Sequence, residues 1–274
     1  MRTIVQLSDL HFGTIIEATL EPVIDKVTSV APDLVIVSGD LTQRARPEQY
    51  LAARGYLERL PRPQLVVPGN HDVPLYDLLR RFLSPLGRYR KHITDDLSPV
   101  YIDDEIAVVG INTARSFTFK GGDISLQQLA ESVAHFQSLR KSQARIVVTH
   151  HPFDIPEGLS GVEVVGGAQR AMDAFAECSV DLFLSGHIHL VHMSSAARYQ
   201  PGYNATILQA GTATSTRARG ESNSFFVFRV DETAISCETQ SWNPGTRNFE
   251  RLRTNRFERV SGTAPHVAAL RGEG

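Results

Sequence analysis

The chain has 274 residues and a formal net charge of −2 at pH 7, enough length for one large core and no global basic field of the kind that drives binding to a nucleic-acid backbone. Its two cysteines, Cys178 and Cys237, form neither a disulfide framework nor a Cys-type zinc site, and no apolar run approaches the roughly 18 residues of a membrane span. A reduced, cytoplasmic protein without a membrane segment is expected, since a cleavable signal peptide here would remove the metal-type residue Asp9 along with itself.

Five runs, TIVQL, DLVIVS, QLVVP, RIVVT and DLFLS, are rich in β-branched residues, almost continuously apolar and bounded by Gly, Pro or Asp. That is the pattern of strands buried on both faces. Helical spacings separate them. Leu20, Val23, Ile24, Val27 and Val30 form one stripe, and Tyr50, Ala53, Leu57 and Leu60 form the next, behind Pro47 at a first-turn position. Leu75, Leu78, Leu79, Phe82 and Leu83 follow the third strand. Ser125 with Gln128 has the form of a capping box and opens a helix carrying Leu126, Leu129, Val133, Phe136 and Leu139. A further helix is predicted from Ala168 to Glu177. Strand and helix alternate through this half, which predicts a largely parallel sheet with helices outside.

From Tyr203 onward NATILQAG, SFFVFRV and TAISCETQSW are β-rich, with a short Asp231-Glu232 turn joining the last two. They predict a second, largely antiparallel sheet packed on the first. NFERLRTNRFERV has few apolar anchors among its arginines, and SGTAPHVAALRGEG reads as a tail. One domain is expected over residues 1–247, with 248–274 an Arg-rich extension serving as a surface, packing or assembly element.

Each of the five strands ends in metal-type side chains: SDLH, SGD, GNHD, THH and GHIH. Any one of these alone is an ordinary polar turn or helix cap. Five in one order predict a dinuclear metal site along one edge of a sheet, outside the carboxyl ends of the strands. Asp9 and His11, two residues apart, leave one face of an extended chain, as do His187 and His189. Asp40 is the natural bridge, since one carboxylate has two oxygens to share between two cations, and Asn70 offers a neutral amide oxygen. His150 and His151 are adjacent and point to opposite faces of a strand, so His150 is the expected ligand. His92, His135, His192 and His266 lie outside the clusters and read as surface or internally satisfied residues.

In this order D-x-H, G-D, G-N-H-D, T-H-H and G-H-x-H resemble the calcineurin-like metallophosphoesterase superfamily. QLSDLHFG, VSGDLTQRA, VVPGNHDVP, THHPF and LSGHIHL resemble most its bacterial class III cyclic-nucleotide phosphodiesterase branch, with glycerophosphodiesterase-like members. The resemblance implies an α/β fold, a four-layer α/β/β/α sandwich of two mixed sheets flanked by helices. It implies that Asp9, His11, Asp40 and His189 hold one divalent ion and Asp40, Asn70, His150 and His187 the other. It further implies that His71 sits by the scissile phosphate, with Asp72 orienting it.

Two divalent ions sharing a water lower its pKa and clamp phosphate oxygens for in-line attack, and a His/Asp/Asn donor set suits Mn, Fe, Zn or Co. His71 as imidazolium can hydrogen-bond the phosphate or protonate the departing oxygen. Asn112, Arg217 and Arg219 are the candidate substrate contacts, the two arginines meeting a second anionic group or pairing with Glu221. The expected activity is hydrolysis of a small phosphodiester, foremost a 3′,5′-cyclic nucleotide such as cAMP. Alternatives are a broader phosphodiesterase or phosphomonoesterase of glycerophosphodiester type and, from another class, a catalytically silent metal-binding interaction module. Neither a membrane nor an extended nucleic acid is an expected partner, and a homo-oligomer is left open.

Overall fold

In the computed structural model, which describes residues 1–117 and 120–260, β1 (Arg2–Leu7), β2 (Leu34–Ser38) and β3 (Gln64–Val67) run parallel, with α1 (Glu17–Val30) and α2 (Pro47–Leu57) as crossovers. α3 (Leu78–Leu83) and α4 (Gly87–His92) lead into β4 (Val100–Ile102), β5 (Ile106–Gly110), α5 (Leu126–Gln137), β6 (Ala144–Val148), α6 (Ala168–Glu177), β7 (Leu182–Ser185), β8 (His192–Ser195) and β9 (Thr206–Gln209). The described chain closes with β10 (Ser224–Val230), β11 (Ala234–Asn243) and β12 (Asn248–Glu258). The strands form two sheets, ordered β12-β11-β10-β1-β2-β3 and β4-β5-β6-β7-β9-β8. No helix of the described residues is long and apolar enough to cross a membrane.

The continuously apolar strands have the physical cause their sequences suggest. Ile4 of β1 faces the second sheet, packing with Ile146 and Leu184, while the next residue, Val5, faces Val23 and Val27 of α1. In the second sheet Val108 and Ile146 point inward, while Val109 and Val147 meet Phe136 of α5 and Phe175 of α6. Three apolar layers therefore separate four structural layers, the α/β/β/α sandwich expected from the sequence. Local signals hold as well. Pro47 occupies the first turn of α2, and the Ser125 hydroxyl accepts from Gln128 N–H while Gln128 Oε1 accepts from Ser125 N–H.

Three features depart from the sequence reading. Of the strands from Tyr203 onward, β9 joins the second sheet, but β10, β11 and β12 do not. β10 pairs antiparallel with β1 and extends the first sheet, because Phe226 and Phe228 fill the space between the sheets while Phe225 and Val227 face the helices. The second sheet is instead mainly parallel, through β5, β6, β7 and β9. The five metal-type strand ends accordingly come from both sheets, not from one edge of a single sheet.

Residues 248–258, set apart as the start of an Arg-rich extension, form β12, the edge strand on β11. Phe249 is 2% exposed, its ring 5.1 Å from Phe225 and 5.4 Å from Trp242. Two aromatic anchors suffice at an edge, since one face and the outer margin are solvated. Residues 261–274 lie outside the described residues. The third departure is α3, whose Leu78, Leu79, Phe82 and Leu83 are all exposed. Arg81 is its buried side chain, donating from Nε to Ser116 O and from Nη1 to Pro74 O.

Phe249→Ala should therefore cost about 3 kcal/mol or more, the loss expected for a buried phenyl. Leu252→Ala, at a site 69% exposed, should stay within about 0.5 kcal/mol. Urea denaturation of the two variants checks this, and equal effects would mean that β12 is not packed on the body.

Candidate metal centre and cleft

The site is assembled from loops that leave the carboxyl ends of β1, β2, β3, β6 and β7, where the two sheets meet. Its donors do not continue the strands. Asp9, His11, Asp40, His187 and His189 all have left-handed φ, between 49° and 80°, a conformation that costs a non-glycine residue of order 1 kcal/mol or more. Cross-loop bonds hold them there. Asp9 N–H donates to Gly39 O at 3.1 Å, His11 N–H to Asp40 O at 2.9 Å, and His187 N–H to Asp9 Oδ2 at 3.0 Å.

The donor atoms fall into two groups that share Asp40. In the first, His11 Nε2 lies 3.0 Å from His189 Nε2, 3.6 Å from Asp9 Oδ1 and 3.5 Å from Asp40 Oδ2. In the second, His150 Nε2 lies 3.4 Å from Asp40 Oδ1, 3.1 Å from Asn70 Oδ1 and 3.3 Å from His187 Nδ1. His187 Nδ1 is 3.0 Å from Asn70 Oδ1. Donors about 2.1 Å from a common ion stand roughly 3.0 Å apart at right angles and roughly 3.4 Å apart at the tetrahedral angle. The observed spacings fit that geometry. Asp9 Oδ1, fully buried, accepts no well-formed hydrogen bond although His189 Nε2 is 3.1 Å away, as suits an oxygen with a cation to bind. The sequence-predicted set is thus brought together, and Asp40 presents one oxygen to each group.

Electrostatics in the cluster follow from burial and the two carboxylates. Burial would raise Asp9, but the charge of His189, with the His11 and His189 rings close by, holds it well below the usual carboxylate range. Burial likewise opposes ionisation of Asp40, and His150 and His71 outweigh it. His150, disfavoured as a cation by burial, is pushed up to about 9 by Asp40. Burial takes His11 down to about 4 and His187 down to about 3, the latter helped by repulsion from His150.

Strand alternation does not separate His150 from His151, because β6 ends at Val148. His151 lies on the same side, its ring 4.8 Å from that of His187. Its Nδ1 is 2.7 Å from Thr113 Oγ1, and its buried Nε2 has no hydrogen bond. Asp72 does not reach the His71 ring. Its carboxylate accepts from the backbone N–H groups of Leu41, Thr42 and Gly69 and from the Thr42 hydroxyl, because the short turn Asn70–Asp72 points it back beneath the loop. It braces Asp40's loop against that of Asn70. The His71 ring is oriented instead by Gln43 O, 2.9 Å from Nδ1. Asn112 is also turned away: its Oδ1 caps Ala114 N–H, and its carbonyl accepts from Arg115 and Gln128.

A cavity of about 460 Å³ opens over the donors, lined by Asp40, Asn70, His71, His187 and His189 below and by Lys120, Glu163, Arg217 and Arg219 above. A larger one, about 550 Å³, lies at α2 and α4 and contains none of these donors. Arg217 Nη1 is 2.9 Å from His71 Nε2, and Arg44 Nη1 is 3.2 Å from His71 Nδ1. Burial lowers Arg217, Asp40 and Asp9 oppose that, and Arg44 and Arg219 add repulsion. Glu221 is not the partner of these arginines; it accepts from Val191 N–H at 2.9 Å. Arg44 and Lys120 were not singled out in the sequence, although Arg44 stands four residues beyond Asp40 in the same loop.

Glycine is required where the loops touch. A Cβ on Gly69 would lie 2.4 Å from Asp40 N and 2.2 Å from its Oδ1, so Gly69→Ala should displace Asp40 without removing a donor. Metal uptake by elemental analysis should fall by at least one equivalent per chain. Gly55→Ala, in α2 with open space around it, should retain wild-type uptake and add about 0.5–1 kcal/mol of stability. Full metallation of Gly69→Ala would show that Asp40 is not positioned by this contact.

The profile of the calcineurin-like phosphoesterase family matches residues 2–191. The chain is 37% identical over 83 residues to the glycerophosphodiester phosphodiesterase GpdQ of Enterobacter lignolyticus, a match covering 28% of this chain and 30% of that protein. The chain thus spans less than a third of the length of that relative. It is 31% identical over 205 residues to a probable cyclic nucleotide phosphodiesterase of Synechococcus, covering 68% of this chain and 73% of the relative. Among solved structures, a dimetal phosphatase from Danio rerio superposes with a TM-score of 0.68 at 14% identity, covering 94% of this chain and 99% of the other, a likeness of fold. With the profile spanning both Asp-bearing loops and the His187–His189 loop, the chain belongs to the calcineurin-like phosphoesterase family.

Proposed function

We propose that the chain is a metal-dependent phosphodiesterase acting on a small phosphodiester, with Asp9, His11, Asp40 and His189 holding one divalent ion and Asp40, Asn70, His150 and His187 the second. The observation that carries this reading is the placement of Asp40, whose two oxygens face two separate donor groups at ligand spacing. The names of the two relatives, a glycerophosphodiester phosphodiesterase and a probable cyclic nucleotide phosphodiesterase, support a diester substrate. A cleft of about 460 Å³ suits a small molecule better than a polymer. A 3′,5′-cyclic nucleotide and a glycerophosphodiester are the substrates to compare, with Mn, Fe, Zn or Co as the ions.

When bound, the ions supply Lewis acidity toward a water and toward the phosphate oxygens. The chain's own residues do the rest. Asp40 fixes the spacing of the two groups. Gln43 O accepts from His71 Nδ1–H and so aims Nε2 into the cleft. Burial lowers the His71 pKa and Asp40 opposes this; an arriving phosphate anion favours a second proton, at Nε2. Arg217, which donates to that nitrogen in the free protein, can then turn its guanidinium to a phosphate oxygen while His71 Nε2–H serves the departing oxygen.

Turnover of bis(p-nitrophenyl) phosphate and 3′,5′-cyclic AMP with added Mn²⁺ tests the reading. No turnover of either by protein carrying two ions would sink it. His71→Ala should cost less than about tenfold with the nitrophenyl diester, whose leaving group departs without a proton, and about 10²–10⁴-fold with the cyclic nucleotide, whose alkoxide needs one. Metal content should not change. Equal losses on both substrates would make His71 a phosphate-positioning residue only.

A further inference from the structure

A second, smaller cavity of about 220 Å³ adjoins the cleft and shares Asn70, His71, Lys120 and Arg217 with it. Arg44 and Gln43 form its far wall and Val73 and Leu75 its floor. Three cationic side chains line it, and no carboxylate does. Other surface arginines are set against carboxylates, among them Arg54 on Glu58 and Arg59 on Glu21. Here the guanidinium contacts are neutral: Arg44 donates to Gln43 O at 3.1 Å, and Arg217 reaches Gln43 Oε1 at 3.4 Å and His71 Nε2 at 2.9 Å. Among the described residues neither Arg44, Lys120 nor Arg217 has an ion-pair partner.

Positive charge held in a concave site with only neutral acceptors is a site for an anion. The scissile phosphodiester is not that anion. It carries one charge and belongs over the Asp40 donors, whereas Arg44 lines only the side cavity. His71 lines both spaces, so a ligand group in the side cavity could be covalently joined to a phosphate held at His71 Nε2. The apolar floor from Val73 and Leu75 suits the carbon framework that joins them.

We infer that this side cavity is a second anion subsite and that the preferred substrate is a phosphodiester bearing a further phosphate group, bound by Arg44, Lys120 and Arg217. This rests on the phosphodiesterase reading and narrows it. The substrates favoured then differ from cyclic mononucleotides and from glycerophosphodiesters with neutral or cationic head groups. Arg44 and Lys120 are specificity residues, acting on which diester binds and not on the reacting bond.

Two matched diesters test this: thymidine 5′-(p-nitrophenyl phosphate), and the same compound carrying a 3′-phosphate. They share the reacting bond and the leaving group. With Mn²⁺-loaded protein the 3′-phosphate should raise kcat/KM by about tenfold or more, chiefly through KM, as for a charge-assisted contact. Arg44→Gln and Lys120→Gln should each pull that ratio toward unity, with Arg44→Lys restoring some of it. A ratio near unity in the wild type, or one that survives both Gln variants because the two substrates lose rate together, overturns the subsite and leaves the phosphodiesterase reading standing. Calorimetric binding of thymidine 3′,5′-bisphosphate against thymidine 5′-monophosphate separates the two ideas. If neither diester turns over but the bisphosphate binds about tenfold tighter in an Arg44-dependent way, the subsite stands and the diesterase reading falls. If it binds no tighter, both fall.

Discussion

Two carboxylates, Asp9 and Asp40, are buried at the seam between two sheets, and the rest of the site is arranged around their charge. A buried carboxylate is tolerated only when it is hydrogen-bonded and faced by positive charge. The backbone supplies the first requirement. Asp9 Oδ2 accepts from His187 N–H, and Asp40 Oδ1 accepts from His71 N–H at 2.8 Å. The imidazoles partly supply the second: against the effect of burial, Asp40 and Asp9 raise His150 and His189, while burial drives His11 and His187 down. Cations between the donors would meet the same requirement more completely. The field that makes the cluster costly to bury is therefore the field that would draw metal ions to it.

Holding that cluster requires backbone conformations that the residues themselves disfavour. The resistance to relaxation comes from the sandwich beneath. Gln6 is fully buried in β1, where an apolar residue would be expected, and its Nε2 donates to Ser38 Oγ at 2.9 Å and across the sheet interface to Ser185 O at 3.0 Å. It ties together β1, β2 and β7, the strands that lead to Asp9, Asp40 and the His187–His189 loop. Asp72 acts in the same way among the loops, binding that of Asp40 to the turn of Asn70. Polar groups that do not enter the chemistry thus convert packing in the core into fixed positions at the donors.

This division explains what could be read in the sequence. The donors were legible because they sit immediately after strands with a clear double-buried pattern, and order along the chain maps onto position at one end of the sandwich. Which sheet each strand joins was not legible. SFFVFRV is apolar on both faces whether it extends the first sheet or begins another, and the choice depends on β10 finding β1 over two hundred residues away. Strand alternation misled for His150 and His151 because the chain has already left the strand. Asp9 with His11 and His187 with His189 do come to the same region, though the cause is left-handed loop geometry and not strand alternation. Asp72 and Asn112 look functional in sequence, but their side chains are spent on backbone N–H groups. Motif spacing cannot reveal that.

Family membership constrains the donors and leaves the rim of the cleft to this chain. The donors are locked by strained loops, close glycine contacts and a buried polar tie, so a change at any of them disturbs several others. Lys120, Arg217 and Arg219 line the cleft and Arg44 the side cavity beside it, and nothing in the core depends on their length or charge. Selection among phosphate esters can thus be rewritten side chain by side chain on a fixed metal-binding frame. On the reading proposed above, the chemistry belongs to the sandwich and its seam, and the choice of substrate to a few cations on its rim.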